Sequence, residues 1–173
     1  MGRPPSFDEL YAQYASLVYN LCIQYVQHAP TAEELTQDVF VKIYQQLSRF
    51  KGKSSLKTWI YRITINHCLD HLKAQKRQKR FGRHVGLEEA PVAHFDHPGV
   101  TLEDQEALAQ LFAHINELPD RQKTALLLKA VDGLPQREIA EIMQLGIKAV
   151  ESLLSRAKAT LRKKINTSEG SPS

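Results

Sequence analysis

Between Val39 and Leu87 the chain carries twelve Lys or Arg residues against a single acid, Asp70, whereas the rest holds eleven bases and eighteen acids. Basic residues clustered in this way do electrostatic rather than covalent work. They attract a polyanion, and a nucleic-acid backbone before a membrane surface. On charge alone, the plainer alternative is a solvated basic face. Groups for covalent chemistry are not assembled: there is no glycine-rich phosphate loop, and no Ser/His/Asp arrangement has a supporting context. An enzyme acting on nucleic acid is therefore not expected. His67, Cys68 and His71 form a small His/Cys group. Only Cys68 and His71 have the i,i+3 spacing of a helix, and no second pair accompanies them, so neither a metal nor another cofactor is expected. Cys22 and Cys68 lie within apolar helical patterns, which is where reduced structural thiols sit.

A second candidate set lies near the other end of the chain. Two short amphipathic segments, Ile139–Met143 and Val150–Ile165, flank the turn Leu145-Gly146-Ile147. Helices joined by so short a turn suit a helix-turn-helix. Away from its apolar stripe the last segment presents Lys148, Ser152, Ser155, Arg156, Ala159 and Lys163. Small and basic side chains of this kind can enter a major groove, where long acids would meet the phosphates. By spacing alone, an ordinary helical hairpin with a polar face serves equally well.

The elements that must position these residues are all helical. Ser6 and Glu9 form a capping box ahead of Leu10, Tyr14, Leu17, Val18, Leu21 and Tyr25. Thr31 and Glu34 predict a second box, ahead of Leu35, Val39, Phe40, Ile43 and Leu47, with Pro30 separating the two helices. Residues 48–55 read as a loop, and a third helix follows over about 56–76 with Trp59 in its core. From Phe81 the period breaks at Gly82, Gly86, Pro91, Pro98 and Gly99, which predicts a flexible linker over 81–100. Beyond it, Thr101 and Asp104 cap a fourth helix, Pro119-Asp120 starts a fifth, and Asp132-Gly133 ends it. The expected architecture is all-α, with two small domains over 1–80 and 101–167 and a disordered tail over 168–173. No apolar run is long enough to cross a membrane, and the cytoplasm is the expected compartment. The match of Met1-Gly2 to a myristoylation pattern, and of Asn166-Thr167-Ser168 to a glycosylation pattern, is short enough to be chance.

Particular stretches go beyond this generic description. Leu118-Pro119, Ala125-Leu126-Leu127-Leu128, Asp132-Gly133-Leu134, Glu138-Ile139-Ala140-Glu141-Ile142-Met143 and Val150 to Lys158 resemble region 4 of the extracytoplasmic-function (ECF) sigma factors of bacterial RNA polymerase. Independently, Phe7-Asp8-Glu9-Leu10-Tyr11, Ala32 to Phe40, Arg49-Phe50-Lys51-Gly52 and Thr58 to Ile63, with Asn66, Leu69 and Asp70, resemble region 2. The resemblance implies a sigma factor whose partners are promoter DNA and the polymerase core, with an anti-sigma factor as a candidate inhibitor. Region 2 would seat on the β′ clamp helices through Glu34, Gln37 and Asp38 and capture the −10 strand with Lys42, Phe50, Lys51, Lys53, Arg62 and Asn66. Glu34 and Asp38, at i,i+4, share one helix face and suit a basic partner. An Asn amide can both donate to and accept from a base edge, although a buried structural amide is the alternative for Asn66. Region 4 would bind the β flap and read the −35 element through Lys148, Glu151, Ser152, Ser155 and Arg156.

The sequence also departs from the family pattern. Lys148-Ala149 stands where the family has a Gly-Thr pair, removing a capping hydroxyl from the recognition helix. Glu151 and Leu153 replace frequent basic residues, and Pro135 replaces a Ser or Thr cap. The family's −35 preference is therefore not carried over. The competing function is a helix-turn-helix regulator that binds duplex DNA without polymerase, but the placement of the basic stretch in the first half disfavours it.

Overall fold

The first helix begins where its capping chemistry requires. In a computed structural model of the chain, which describes residues 5–82 and 101–170, α1 spans Phe7–Val26. Ser6 Oγ accepts from the Glu9 N–H at 3.3 Å and Glu9 Oε2 accepts from the Ser6 N–H at 2.7 Å. Gln27 ends α1 in the left-handed region, φ 54°, and its side-chain amide donates to the carbonyls of Ile23 and Gln24.

The second helix corrects the expectation of a Thr31 cap. α2 spans Ala29–Gln46, and His28 is its cap, with Nδ1 accepting from the Thr31 N–H at 3.3 Å. Pro30 lies inside the first turn rather than before it. That is allowed because the first-turn N–H groups have no intrahelical acceptor, so proline's missing donor is not missed. A short 3-10 turn, Leu47–Arg49, leads into the loop. α3 then spans Leu56–Arg80, opened by Ser55 Oγ accepting from the Thr58 N–H at 3.0 Å. It is one turn longer than expected, and Arg77, Lys79 and Arg80 in its last turn complement the negative end of the helix dipole.

The chain divides into two units, one ending at Ala93 and the other beginning at His94. In the first, α1, α2 and α3 bury Leu10, Val18, Leu21, Leu35, Val39, Ile43 and Ile60. Each such side chain contributes about 1.5–3 kcal/mol by leaving water. Cys22 and Cys68 are free and fully buried there, with their sulfurs 3.7 Å apart. The Cys22 thiol is held below its ordinary value, first by the hydrogen bond from Cys68.

In the second unit α4 spans Leu102–Asn116, α5 Asp120–Ala130, α6 Gln136–Met143 and α7 Ile147–Glu169. Thr101 and Asp104 form the expected capping box. Gly133, at φ 66°, turns the chain after α5, and the Leu134 N–H closes on the Leu128 carbonyl at 3.0 Å. Phe112, Ile115, Leu127, Leu128, Ile139, Val150, Leu154 and Ala157 make the core. α7 continues through Glu169, so that residues 168 and 169 of the expected tail are helical. Thr167 and Ser168 bond back to the carbonyls of Lys163 and Lys164, so their hydroxyls are satisfied without breaking the helix. The expected linker from residue 83 onward, and the last three residues of the expected tail, lie outside the described residues. Among the described residues every regular element is a helix, and none is long and apolar enough to cross a membrane.

Candidate nucleic-acid interface

Three of the candidate residues of the first unit lie along one exposed stretch of α2. Glu34, Gln37 and Asp38 are all exposed, and the Asp38 side chain is 64% accessible. Gln37 also borders a groove between α1 and α2 lined by Tyr11, Tyr19 and Glu33. Beside it Phe7, Tyr11, Phe40 and Tyr44 form an aromatic cluster, in which Tyr11 and Phe40 ring centroids are 4.7 Å apart and Tyr44 is 68% exposed. Phe40 is buried, while Tyr11 and Tyr44 leave the outer side of the cluster exposed.

One turn after Asp38, Lys42 is half-buried and its Nζ lies 2.8 Å from His67 Nδ1 on α3. The other imidazole nitrogen of His67, Nε2, lies 3.4 Å from Asp38 Oδ2. Thus His67 bridges an expected polymerase contact and an expected strand contact. Burial pushes its pKa below the ordinary histidine value, and the Lys42 charge adds to that, while Asp38 opposes both. Sequence reasoning weighed His67 only as a metal ligand. The signal that could have singled it out is the i,i+4 spacing of Asp38 and Lys42, which places opposite charges on one face of a helix that packs on α3. Among the described residues no group of three or more His, Cys, Asp or Glu is set to hold a metal.

Asn66 is exposed, which removes the buried-amide alternative and leaves its amide open to a partner. Lys51 and Lys53 are exposed on the loop that enters α3, with Gly52 between them in the left-handed region at φ 67°. Phe50 is half-buried with its ring 5.0 Å from that of Trp59, tilted by 41°. Trp59 is therefore not the core residue expected: it is half-buried at the start of α3 and supports the loop, while Ile60 takes the core position. Arg62 is half-buried.

In the second unit, α6 ends at Gln144, φ 55°, and α7 begins behind Gly146 with no side-chain cap. The missing hydroxyl at Lys148-Ala149 thus leaves the helix start in place but uncapped by a side chain. Lys148, Glu151, Ser152, Ser155 and Arg156 are all exposed, while Val150, Leu154 and Ala157 are buried. The packing face and the presented face of the helix separate cleanly. Among the described residues no ion pair engages Glu151 or Arg156, so Glu151 is not spent on orienting Arg156.

Residues 10–78 match the family Sigma-70 region 2, and residues 108–161 match Sigma-70, region 4. The chain belongs to the ECF sigma factors. It is 32% identical to the RNA polymerase sigma-H factor of Pseudomonas aeruginosa, over 94% of this chain and 87% of that one. It is 30% identical to the ECF RNA polymerase sigma-E factor of Haemophilus influenzae, over 95% of this chain and 89% of that one. Its fold is similar to that of the sigma factor RpoE of Bartonella quintana, solved in complex with the anti-sigma factor NepR: TM-score 0.70, 22% identity, 92% of this chain and 96% of that one. As a sigma factor the protein directs RNA polymerase to promoters. The reading as a duplex regulator working without polymerase gives way, because both sigma regions are matched in order and together span most of the chain. All the expected DNA and polymerase contacts fall inside the two matched segments.

Proposed function

We propose that the two units of this sigma factor divide the promoter between them, over residues 1–80 and 101–167. The first seats on the β′ clamp helices through Glu34, Gln37 and Asp38, and captures the −10 strand with Lys42, Asn66, Arg62 and the loop residues Phe50, Lys51 and Lys53. The second binds the β flap and reads the −35 duplex with Lys148, Glu151, Ser152, Ser155 and Arg156. Strand opening is driven by binding energy, with no covalent chemistry by the sigma factor itself.

The observation that carries this reading is the exposure of Asn66 beside a Lys42 that is drawn to the neighbouring residue His67. It sets a base-reading amide and a phosphate-seeking ammonium on adjacent helices next to an exposed basic loop. The exposed aromatic cluster with Tyr44 supports a protein seat on the same unit. It also makes an anti-sigma factor a candidate partner, as the Bartonella relative has. Permanganate footprinting tests the strand site. Lys42→Ala with Asn66→Ala should preserve polymerase binding and reduce reactive thymines on duplex promoters, with recovery on a pre-melted bubble. Normal melting by the double variant refutes the assignment. Limited proteolysis that leaves one protected fragment spanning residues 81–100 refutes the division into two units.

A further inference from the structure

The Asp38–His67–Lys42 array fixes the protonation state that would serve it. An ammonium has three N–H donors and no acceptor, so at 2.8 Å His67 Nδ1 must offer a lone pair to Lys42. The proton of a neutral imidazole is then on Nε2, which lies 3.4 Å from Asp38 Oδ2, a charge–dipole contact rather than a formed hydrogen bond. Only this tautomer meets both neighbours with the right sign. A doubly protonated ring would set a second N–H donor, and a second positive charge, against the ammonium.

We propose that neutral His67 is a positioning residue that holds the Lys42 ammonium in place for the −10 strand, and that protonation of His67 releases Lys42 and weakens strand capture. The inference rests on the assignment of Lys42 to the strand site. One N–H of the ammonium is used by His67, which leaves two for a phosphate or a base edge. The long Lys side chain is ordered before DNA arrives rather than at its expense. The charged and titratable groups facing the ring are Lys42 and Asp38 on α2 and His71, one turn on, on its own helix. Lys42 and His71 both oppose a proton on His67, and Asp38 favours one. The balance, with burial added, keeps the ring neutral near neutral pH, so the array is assembled under ordinary conditions and comes apart on acidification.

The test uses the full chain in holoenzyme with a bubble template made from a promoter that the holoenzyme itself selects from fragmented genomic DNA. Affinity is measured between about pH 5.5 and 8 for wild type, His67→Asn, His67→Leu and Lys42→Ala. Asn keeps an acceptor in the region of Nδ1 and cannot titrate. It should match wild type at the alkaline end and lose less affinity toward the acid end. Leu should be weaker than wild type at the alkaline end by about two- to ten-fold, the cost of ordering one long side chain. In a Lys42→Ala background, His67→Leu should have no further effect. A merely structural histidine would not be rescued by Asn and would act whether or not Lys42 is present. A wild-type profile that parallels His67→Asn, or rises on acidification relative to it, overturns the inference while a weakened Lys42→Ala leaves the strand site standing. Full affinity in Lys42→Ala overturns the strand assignment and the inference together. Should His67→Leu fail to fold, the comparison of wild type with His67→Asn decides alone.

Discussion

Reversing the charge at Asp38 separates the proposed polymerase contact from the internal contact with His67. In Asp38→Lys the new ammonium would meet a basic polymerase surface if the proposal holds and, inside the chain, meets the His67–Lys42 pair. The internal effect is the smaller. The Asp38 side chain is 64% exposed, and His67 is held neutral by burial and by Lys42, so the 3.4 Å contact is that of a carboxylate with a neutral N–H. Exposed contacts of this kind contribute at most about 1 kcal/mol. At the proposed interface a carboxylate facing a basic partner becomes a like-charge pair, and a close charge there is worth roughly 2–5 kcal/mol. At about 1.4 kcal/mol per tenfold, core affinity should fall by somewhere between about thirty-fold and a few thousand-fold.

The two effects have different readouts. Trp59 is the chain's single tryptophan and lies in the first unit, so its fluorescence during urea unfolding of the full chain reports that unit's stability. Core affinity can be measured separately, by competition with a labelled wild-type sigma factor at moderate salt. Asp38→Asn provides the intermediate case, removing the charge without adding the opposite one. Core affinity should order as wild type, Asn, Lys, while the urea midpoint moves little in either variant. If core affinity in Asp38→Lys stays within about threefold of wild type, corresponding to less than about 0.7 kcal/mol, Asp38 is not at the polymerase interface. If instead the urea midpoint collapses, the contact with His67 holds the unit together more strongly than its exposure allows, and the reasoning about magnitudes is wrong.

Three further outcomes are expected. Because the His67 pKa is lowered on folding, the unfolded chain binds more protons between the folded value and about 6.5; stability of the first unit should therefore rise with pH across that window and be lost as pH falls through it, with His67→Asn flattening the profile of Trp59-monitored urea midpoints. Truncating the ring that faces Trp59 at 5.0 Å should weaken strand capture, and a Phe50→Ala, Trp59→Ala cycle read by open-complex formation should give a coupling of about 0.5–1.5 kcal/mol, whereas additivity would mean that the pair does not act as one support. Glu151→Gln, assayed against a library randomised across the −35 element, should change preference at one base pair; a uniform gain for every sequence would show that the carboxylate only repels the backbone.

The helices were legible where local chemistry decides them. The boxes at Ser6-Glu9 and Thr101-Asp104 and the stop at Gly133 are set by residues within three or four positions of one another, and the structure has all three. The start of α2 was misread because two local signals compete. Thr31-Glu34 has the form of a capping box, but His28 Nδ1 can accept from the Thr31 N–H, and Pro30 fits a first turn as well as a boundary. The apolar run around Trp59 assigns both Trp59 and Ile60 to the core, and the structure buries Ile60 fully but leaves Trp59, one position and 100° away round the helix, half-buried. Lys123, fully buried on α5, leaves no trace in an apolar pattern that reads Leu126, Leu127 and Leu128 as the core and treats a lysine as surface.

The candidate site divides along the same line. Exposure of Lys148, Glu151, Ser152, Ser155 and Arg156 follows from helical period alone once Val150, Leu154 and Ala157 are buried, so one helix carries the whole argument. The array at His67 could not be read in this way, because it joins residues 25 positions apart across two packed helices. Sequence spacing offered Cys68 and His71 as the neighbours of His67, whereas packing supplied Asp38 and Lys42. This difference has a physical consequence for the sigma factor. A histidine beside a thiol and a second histidine would be a ligand, and its lone pairs would serve a metal. Between a carboxylate and an ammonium, Nδ1 is engaged by Lys42 and Nε2 lies in electrostatic contact with Asp38, and the chemistry left to the ring is to hold its neighbours in place.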